Sequence, residues 1–476
     1  MTSPTDDGRR PMTTPQLKDR LLDMASVTSV MGIGNVVGMV SLVVKSKALA
    51  LLLGPAGIGI VSQAVQLQQV VANGGSLGLS SGLQQSLSKI KDPDDPKFRR
   101  IANLGFRLLV AMFFVTALVV LIFRRPISQA VFDGYYPSWI AAIALWLALT
   151  PISMVIDTIF VSAQRPGLFS LSRVVQFSLL AAGTVVGALV GGVGGAIWGS
   201  AIGFALAMVI IYLKSSRELG SPTLSQGVMF SRETWATDRR HLSEIWGVGW
   251  VTAVAGTLTI LAAFVMRTLL LHEAGDANLG QYHASFALAA LLGPLVSNGI
   301  WGHFYPQVCA TSDPAKCREL TTTVASFALL VLAPLFMALV IGAPILVWVL
   351  FTAEFTDVVL YLPLQAASEL LLQFSTIPSF LLLGRNFRFS YMLSRAIYPV
   401  LLVGLGFGLL RENGVEGLLW AQVIAALASL LVGVVLAKVR FGVTVPILLV
   451  AGAVASAAAL IWFGPGLVGL LAFVVS

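Results

Sequence analysis

The sequence predicts an all-α polytopic membrane protein: two six-helix lobes, built as a parallel internal repeat around a central cavity, plus an extra apolar C-terminal segment. Three observations predict it. Of 476 residues, 57% are hydrophobic and 11% charged, and the mean hydropathy is +0.88, whereas soluble domains are about 25% charged. Apolar runs of about 20 residues recur along the chain, each able to cross a hydrocarbon core of about 30 Å. They lack the alternation of membrane β-strands. Finally, features of the first half return in order in the second.

The elements follow from hydropathy. Residues 1–24 form a polar tail with Arg9, Arg10, Lys18 and Arg20, too long and polar for the start of a cleaved signal peptide, so the first span is expected to stay as an anchor. Spans are predicted near 25–47, 57–86, 101–123, 137–162, 168–190 and 194–213, making an N-terminal lobe over 25–213. A polar inter-lobe loop, 214–242, leads to spans near 243–267, 283–305, 321–350, 358–383, 391–410 and 415–437, a C-terminal lobe over 243–437. The apolar remainder of 438–476 holds either one span plus a half-helix or a hairpin turning at Gly464-Pro465-Gly466. Gly74-Gly75, Gly293-Pro294, Pro306, Pro334, Pro378 and Pro399 are expected to allow kinks.

The repeat is read from five ordered matches. VVKSKALALLLGPAGIGIVSQ around Lys45 aligns with FVMRTLLLHEAGDANLGQYHA around Arg267, and DPDDPKFRR at 92–100 with SDPAKCRE at 312–319. RRPISQAVF at 124–132 aligns with GAPILVWVLF at 342–351, SAQRPGLFSLSR at 162–173 with LLGRNFRFSYMLSR at 382–395, and GVGGAIW at 192–198 with GVEGLLW at 414–420. Six spans per half place both halves in the same orientation, so the axis relating them lies along the membrane normal. Two lobes facing each other across that axis enclose a cleft that rocking exposes to either side in turn.

Lys and Arg set the orientation. They concentrate in segments that are cytoplasmic if the N-terminus is, while the outer loops hold Arg124, Arg125 and Arg411. The net charge of +8 is thereby a solvated, orientation-setting surface. Nucleic-acid binding would need a basic patch on a folded soluble module, and none is legible. Cys309 and Cys317 share a short loop whose spacing matches no zinc pattern and which is expected in a reducing compartment.

A charge at the bilayer centre costs at least about 2.5–3.5 kcal/mol, so intramembrane charges are the candidate functional residues. Lys45 and Arg267 occupy matching places near the outer ends of the first and seventh spans. Facing a cleft, they suit an anionic head group such as a pyrophosphate, with Arg gripping it bidentately and Lys acting as a point charge; otherwise they snorkel to the interface. Lys47 and Arg107 are further cavity cations to consider, Arg107 lying close enough to a span end to snorkel. Asp157 and Glu369 could bind and release a proton or cation, or form static ion pairs. His283 and His303 flank the eighth span, as proton switches or interfacial hydrogen-bonders. The amide-rich second span offers Gln63, Gln66 and Asn73 either to sugar hydroxyls or to neighbouring helices. No metal site, no cofactor and no enzyme signature such as GxxxxGK[ST], HExxH or GxSxG is seen, so transport would draw on a gradient rather than an ATPase.

At Lys45 and the turn Gly54, Pro55, Ala56, Gly57, Gly59, with Arg267 ending the seventh span and Glu369 in the tenth, the chain resembles the polysaccharide-flippase branch of the MOP exporter superfamily, the Wzx type, over roughly 25–437. It is most similar to translocases of O-antigen and enterobacterial-common-antigen lipid intermediates. The resemblance implies a bacterial inner-membrane protein flipping undecaprenyl-pyrophosphate-linked oligosaccharide to the periplasmic leaflet through a cationic cavity. Membrane lipids, a glycan polymerase and a chain-length regulator are the partners expected. Asp157 and His303 match no family pattern, and the tail after Arg440 lies outside the twelve-span core. Competing functions are an exporter of small cations or drugs, whose cavity would be rich in carboxylates, a membrane glycosyltransferase or polymerase, and a scaffold for glycan assembly.

Overall fold

The computed structural model describes residues 14–87, 90, 95–132, 134, 136–163, 165–219, 232–293, 304–311, 313–442 and 446–475. The backbone alone is described at 14–36, 39, 81, 85, 216–219, 232–249, 306, 310, 465 and 467–475. Helices dominate these residues and no strand occurs among them, as expected where lipid offers no partner to a backbone N–H or C=O and each span must satisfy its own. In order they are α1 (Thr14–Ser76), α2 (Leu79–Leu87), α3 (Pro96–Ile122), α4 (Arg124–Phe132), α5 (Pro137–Ser162), α6 (Pro166–Leu219) and α7 (Arg232–Ala274). Then follow α8 (Asp276–Ala290), α9 (Tyr305–Ala310), α10 (Pro314–Ile341), α11 (Ala343–Leu350), α12 (Asp357–Gly384), α13 (Arg388–Phe441) and α14 (Ile447–Val475). Among the described residues nine helices are long and apolar enough to cross a membrane; the protein is a multi-pass membrane protein.

Three of the nine are broken by glycine. α1 breaks at Gly54 (φ 62°, ψ −170°), α6 at Gly191 and Gly192 (φ 57°, ψ −138° at Gly192), and α13 at Gly414 (φ 58°, ψ −141°). Positive φ is open to glycine without a Cβ clash, so these residues fix where the chain turns. In α6 the legs return antiparallel: a Cβ on Gly203 would overlap the carbonyl of Leu179, one on Gly199 that of Gly183, and one on Gly195 that of Gly187. Thr184 and Ser200 add a hydroxyl–hydroxyl bond of 2.7 Å across the same seam. α13 doubles back likewise, Gly417 lying on the carbonyl of Leu409. By contrast Pro334, Pro378 and Pro399, expected to kink their spans, sit in helices whose backbone breaks nowhere or only at Gly414.

The pattern of elements recurs along the chain. α3 and α10 each start at an Asp-Pro step, where Asp95 accepts from the Lys97 amide (2.7 Å) and Asp313 from that of Ala315 (2.9 Å). Each is followed by a short helix, α4 or α11, then by a long one, α5 or α12, then by a glycine-broken pair, α6 or α13. Gly275 (φ 86°) precedes α8 much as Gly54 precedes the second leg of α1. Helices α1, α3, α5 and α6 pack together, and so do α7, α8, α10, α12 and α13, with α14 against α10 and α12. The two groups meet where α1 touches α7 and α8 and where α2 touches α7.

Several boundaries differ from the sequence reading. The tail and the inter-lobe loop are partly helical, since α1 starts at Thr14, α6 runs to Leu219 and α7 starts at Arg232. The rest of that loop, 220–231, lies outside the described residues. α14 continues as one helix through 464–466 rather than turning there. Most consequential, α1 runs on to Leu53 before its break and α7 to Ala274, so Lys45 and Arg267 do not end their spans. At 1.5 Å per residue they lie about 12 Å and 10 Å short of those ends. The Leu-rich stretch after each charge keeps the helix going.

Candidate functional site

All four glycine turns share one end of the bundle: Gly57 would touch Val193, Gly59 the carbonyl of Asp276, and Arg411 pairs with Glu273 at 2.9 Å. Just below this end, where the two helix groups meet, stands Arg267. It is 3% exposed. Its Nη2 donates to Ser62 Oγ on α1 and to His283 Nδ1 on α8, both at 2.8 Å, and the guanidinium lies 5.6 Å from the Tyr282 ring and 6.0 Å from that of Phe286. Because Arg only donates, His283 Nδ1 must accept, which puts the ring's proton on Nε2. Arg267 Nε is buried with no partner. Beside this bridge Gln63 Nε2 donates to Thr268 Oγ1 at 2.6 Å, again across the two groups.

Lys45 is half-buried on α1 and within electrostatic reach of His283. The structure thus brings Lys45, Arg267 and His283 together, and His283 sits well inside α8 rather than at a span end. Lys47 does not join them: its Nζ donates to the backbone carbonyls of Trp348 (3.0 Å) and Phe351 just beyond α11. It clasps α1 to the other helix group instead of lining a cavity. Arg107 is half-buried on α3. Of the amides, Gln63 is fully buried and used in helix–helix bonding. Gln66 and Asn73, one and three turns beyond Ser62, fall on the same face of α1 and are half-buried, Asn73 bonding its own helix at the Gln69 carbonyl. His303 lies outside the described residues.

Glu369 on α12 accepts from Gln373 Nε2 at 3.0 Å and has no cationic partner among the described residues. It belongs to a polar interior of the second helix group that sequence reasoning missed. Gln422 Nε2 donates to Tyr282 Oη at 2.6 Å, and Glu369 is within electrostatic reach of both Tyr282 and Tyr398. The available signal was two tyrosines and two glutamines in the middle of apolar runs. Asp157 is elsewhere: 13% exposed on α5, it pairs with Arg173 Nη2 at 3.1 Å and accepts from Ser172 at 3.2 Å. The corresponding step between α12 and α13 holds a neutral Ser379–Ser394 pair at 3.1 Å, so the charge is not essential to the packing. Asp157→Ala, which strands Arg173, should destabilise the detergent-solubilised protein by about 1–3 kcal/mol. Adding Arg173→Ala should return part of the loss, while transport is unaffected. Thermal melts of the single and double variants check this, and an export defect in a stable Asp157 variant would give the carboxylate a direct role.

A profile for the family described as polysaccharide biosynthesis protein matches residues 48–360, a stretch that includes Arg267 and His283. The chain belongs to this family. A search of curated proteins found no match. Among solved structures the chain is similar to an outward-facing multidrug-resistance MATE family transporter of the MOP superfamily, with 15% identity, 87% of this chain and 94% of that chain covered, and a TM-score of 0.62. An inward-facing MATE family transporter covers 91% and 95% at 14% identity and a TM-score of 0.59. A MOP superfamily transporter from Pyrococcus furiosus, described as having a binding pocket of reversed polarity, gives 15% identity, 87% and 94% coverage, and a TM-score of 0.62. The family member described here therefore has the fold of MOP superfamily transporters.

Proposed function

We propose that this protein flips undecaprenyl-pyrophosphate-linked oligosaccharide from the cytoplasmic to the periplasmic leaflet by alternating access, driven by a gradient. One observation carries the reading: a buried arginine, joined by Lys45, stands between the two helix groups with no carboxylate among its partners. A cation so placed has a use if an anion visits it, and a pyrophosphate fits a guanidinium in a dry site better than any neutral cargo. The face of α1 below Ser62, bearing Gln66 and Asn73, would meet sugar hydroxyls. The family's link to polysaccharide biosynthesis and the transporter fold support the reading. The glycine-turn end is then periplasmic and the membrane the bacterial inner one, with a glycan polymerase and chain-length regulator acting on the product.

The test is a flipping assay with purified protein in liposomes and a fluorescent undecaprenyl-pyrophosphate oligosaccharide, read by a membrane-impermeant quencher. Arg267→Ala and Lys45→Ala should each lower the rate at least tenfold at normal abundance. Unchanged rates in both would remove the anion site. A second reading, export of small cations or drugs, rests on Glu369 as a carboxylate free of any cation among the described residues. It predicts the reverse pattern, with Glu369→Gln inactive and Arg267→Ala active towards a cationic dye.

A further inference from the structure

Arg267 carries out two tasks with one edge of its guanidinium. In arginine the Nε–H and one Nη2–H point the same way, and a side-on bidentate anion takes both. Here Nε is buried and unpartnered, while Nη2 is engaged by Ser62 Oγ from α1 and His283 Nδ1 from α8. Nη2 has two hydrogens. A phosphate oxygen pair seated on the open Nε and its neighbour must therefore take a hydrogen from Ser62 or from His283. His283 lies in the same helix group as Arg267 and, eight residues from Gly275, moves with it; Ser62 belongs to the other group. Ser62 is the partner whose loss lets the groups separate, and its hydroxyl keeps a bond of its own when Arg267 leaves, donating to the Gly59 carbonyl at 2.7 Å.

The surroundings fit a bolt that can be drawn. Gln63–Thr268 crosses the same seam one residue further along each helix. One turn above, α1 and α8 touch backbone to backbone at Pro55, Gly59 and Gly280, a contact that holds only while the helices are pressed together. Gln68–Thr150, a bond of the same type at 3.2 Å, lies wholly within the first group.

We propose that the Arg267–Ser62 hydrogen bond is a bolt between the two helix groups at the glycine-turn end, and that a pyrophosphate group bound to Arg267 draws it. Ser62 is thus a positioning residue through which occupancy of the site in one group is felt by the other. This rests on the anion-site reading above, and the test separates the two.

Spin labels at Leu52 and Ala277, both exposed on α1 and α8, report the spacing of the groups by pulsed electron–electron resonance, with Cys309 and Cys317 changed to Ser. Inorganic pyrophosphate is the probe, its binding followed independently by phosphorus NMR line broadening. The ratio of long to short distances should rise about tenfold or more in Ser62→Ala without pyrophosphate, the effect of one hydrogen bond to a charged group. It should rise on titrating pyrophosphate into the parent protein, and stay unresponsive to it in Arg267→Gln. Gln68→Ala should leave the distances as they are. If pyrophosphate binds and the distances do not move, the bolt fails and the site stands. If pyrophosphate does not bind, both fail. A shift in Gln68→Ala as large as in Ser62→Ala means general loosening and overturns the proposal.

Discussion

Replacing Gly199 with leucine should abolish assembly of the protein. The legs of α6 lie backbone to backbone, and an added Cβ at Gly183, Gly187, Gly195, Gly199 or Gly203 would overlap a facing carbonyl or Cα. Lipid tails are as apolar as leucine, so no hydrophobic drive presses two legs together. Association comes from close packing and from interhelical bonds such as Thr184–Ser200. A leucine at the seam forces the backbones apart along its whole length, at a cost of about 3 kcal/mol or more, against a total stability on the order of 5–15 kcal/mol. Fluorescence-detected size exclusion of a tagged variant should lose its monodisperse peak. Gly199→Ala should fall between, and Gly191→Ala, where nothing lies within 4 Å and φ is −141°, should behave as the parent does. A leucine variant that elutes and melts normally would show that the seam has room that its geometry denies.

The glycine turns were readable from the sequence because they are local. GVGG at 192–195 and the Asn-Gly step at 413–414 interrupt apolar runs, and the spans were separated there, where α6 and α13 turn. The Asp-Pro steps before α3 and α10 were readable as a repeated feature for the same reason, although the spans were started at 101 and 321 rather than at Pro96 and Pro314. The depth of the charges was not. A lysine or arginine at the edge of an apolar run marks a span end when water is its only partner, and that rule put the ends at 47 and 267. What keeps Arg267 inside is a hydroxyl 205 residues earlier in the chain and an imidazole on the next helix, neither of which local hydropathy can register. Lys47 was misplaced for a related reason: its acceptors are backbone carbonyls of Trp348 and Phe351, which carry no sequence signature. Asp157 showed as a charge, but its pairing with Arg173 depends on how the start of α6 lies against α5.

Valine at Gly280 should produce a folded protein that stays open at the glycine-turn end. The local overlap is as severe as in α6, since a Cβ at Gly280 would meet the Pro55 carbonyl and one at Gly59 the Asp276 carbonyl. Its consequence differs because the contact joins the two helix groups, whereas the α6 seam lies within one. Each group keeps its own packing when they part: α8 remains against α7 and α12, and α1 against α6. The strain is relieved by separation, which costs the Lys47 clasp, the Arg267–Ser62 bond and the Gln63–Thr268 bond. Ala284, fully buried one turn beyond Gly280 on the same face of α8, then meets water. In a protein without Cys309 and Cys317, a cysteine at Ala284 should react with a membrane-impermeant maleimide at least tenfold faster in the Gly280→Val background, with the elution profile unchanged. Transport should cease in that variant, because a carrier that cannot close one side cannot return. Slow labelling in a well-folded Gly280→Val protein would mean that α1 and α8 slide past each other to absorb the side chain, and that the seal is made by other residues.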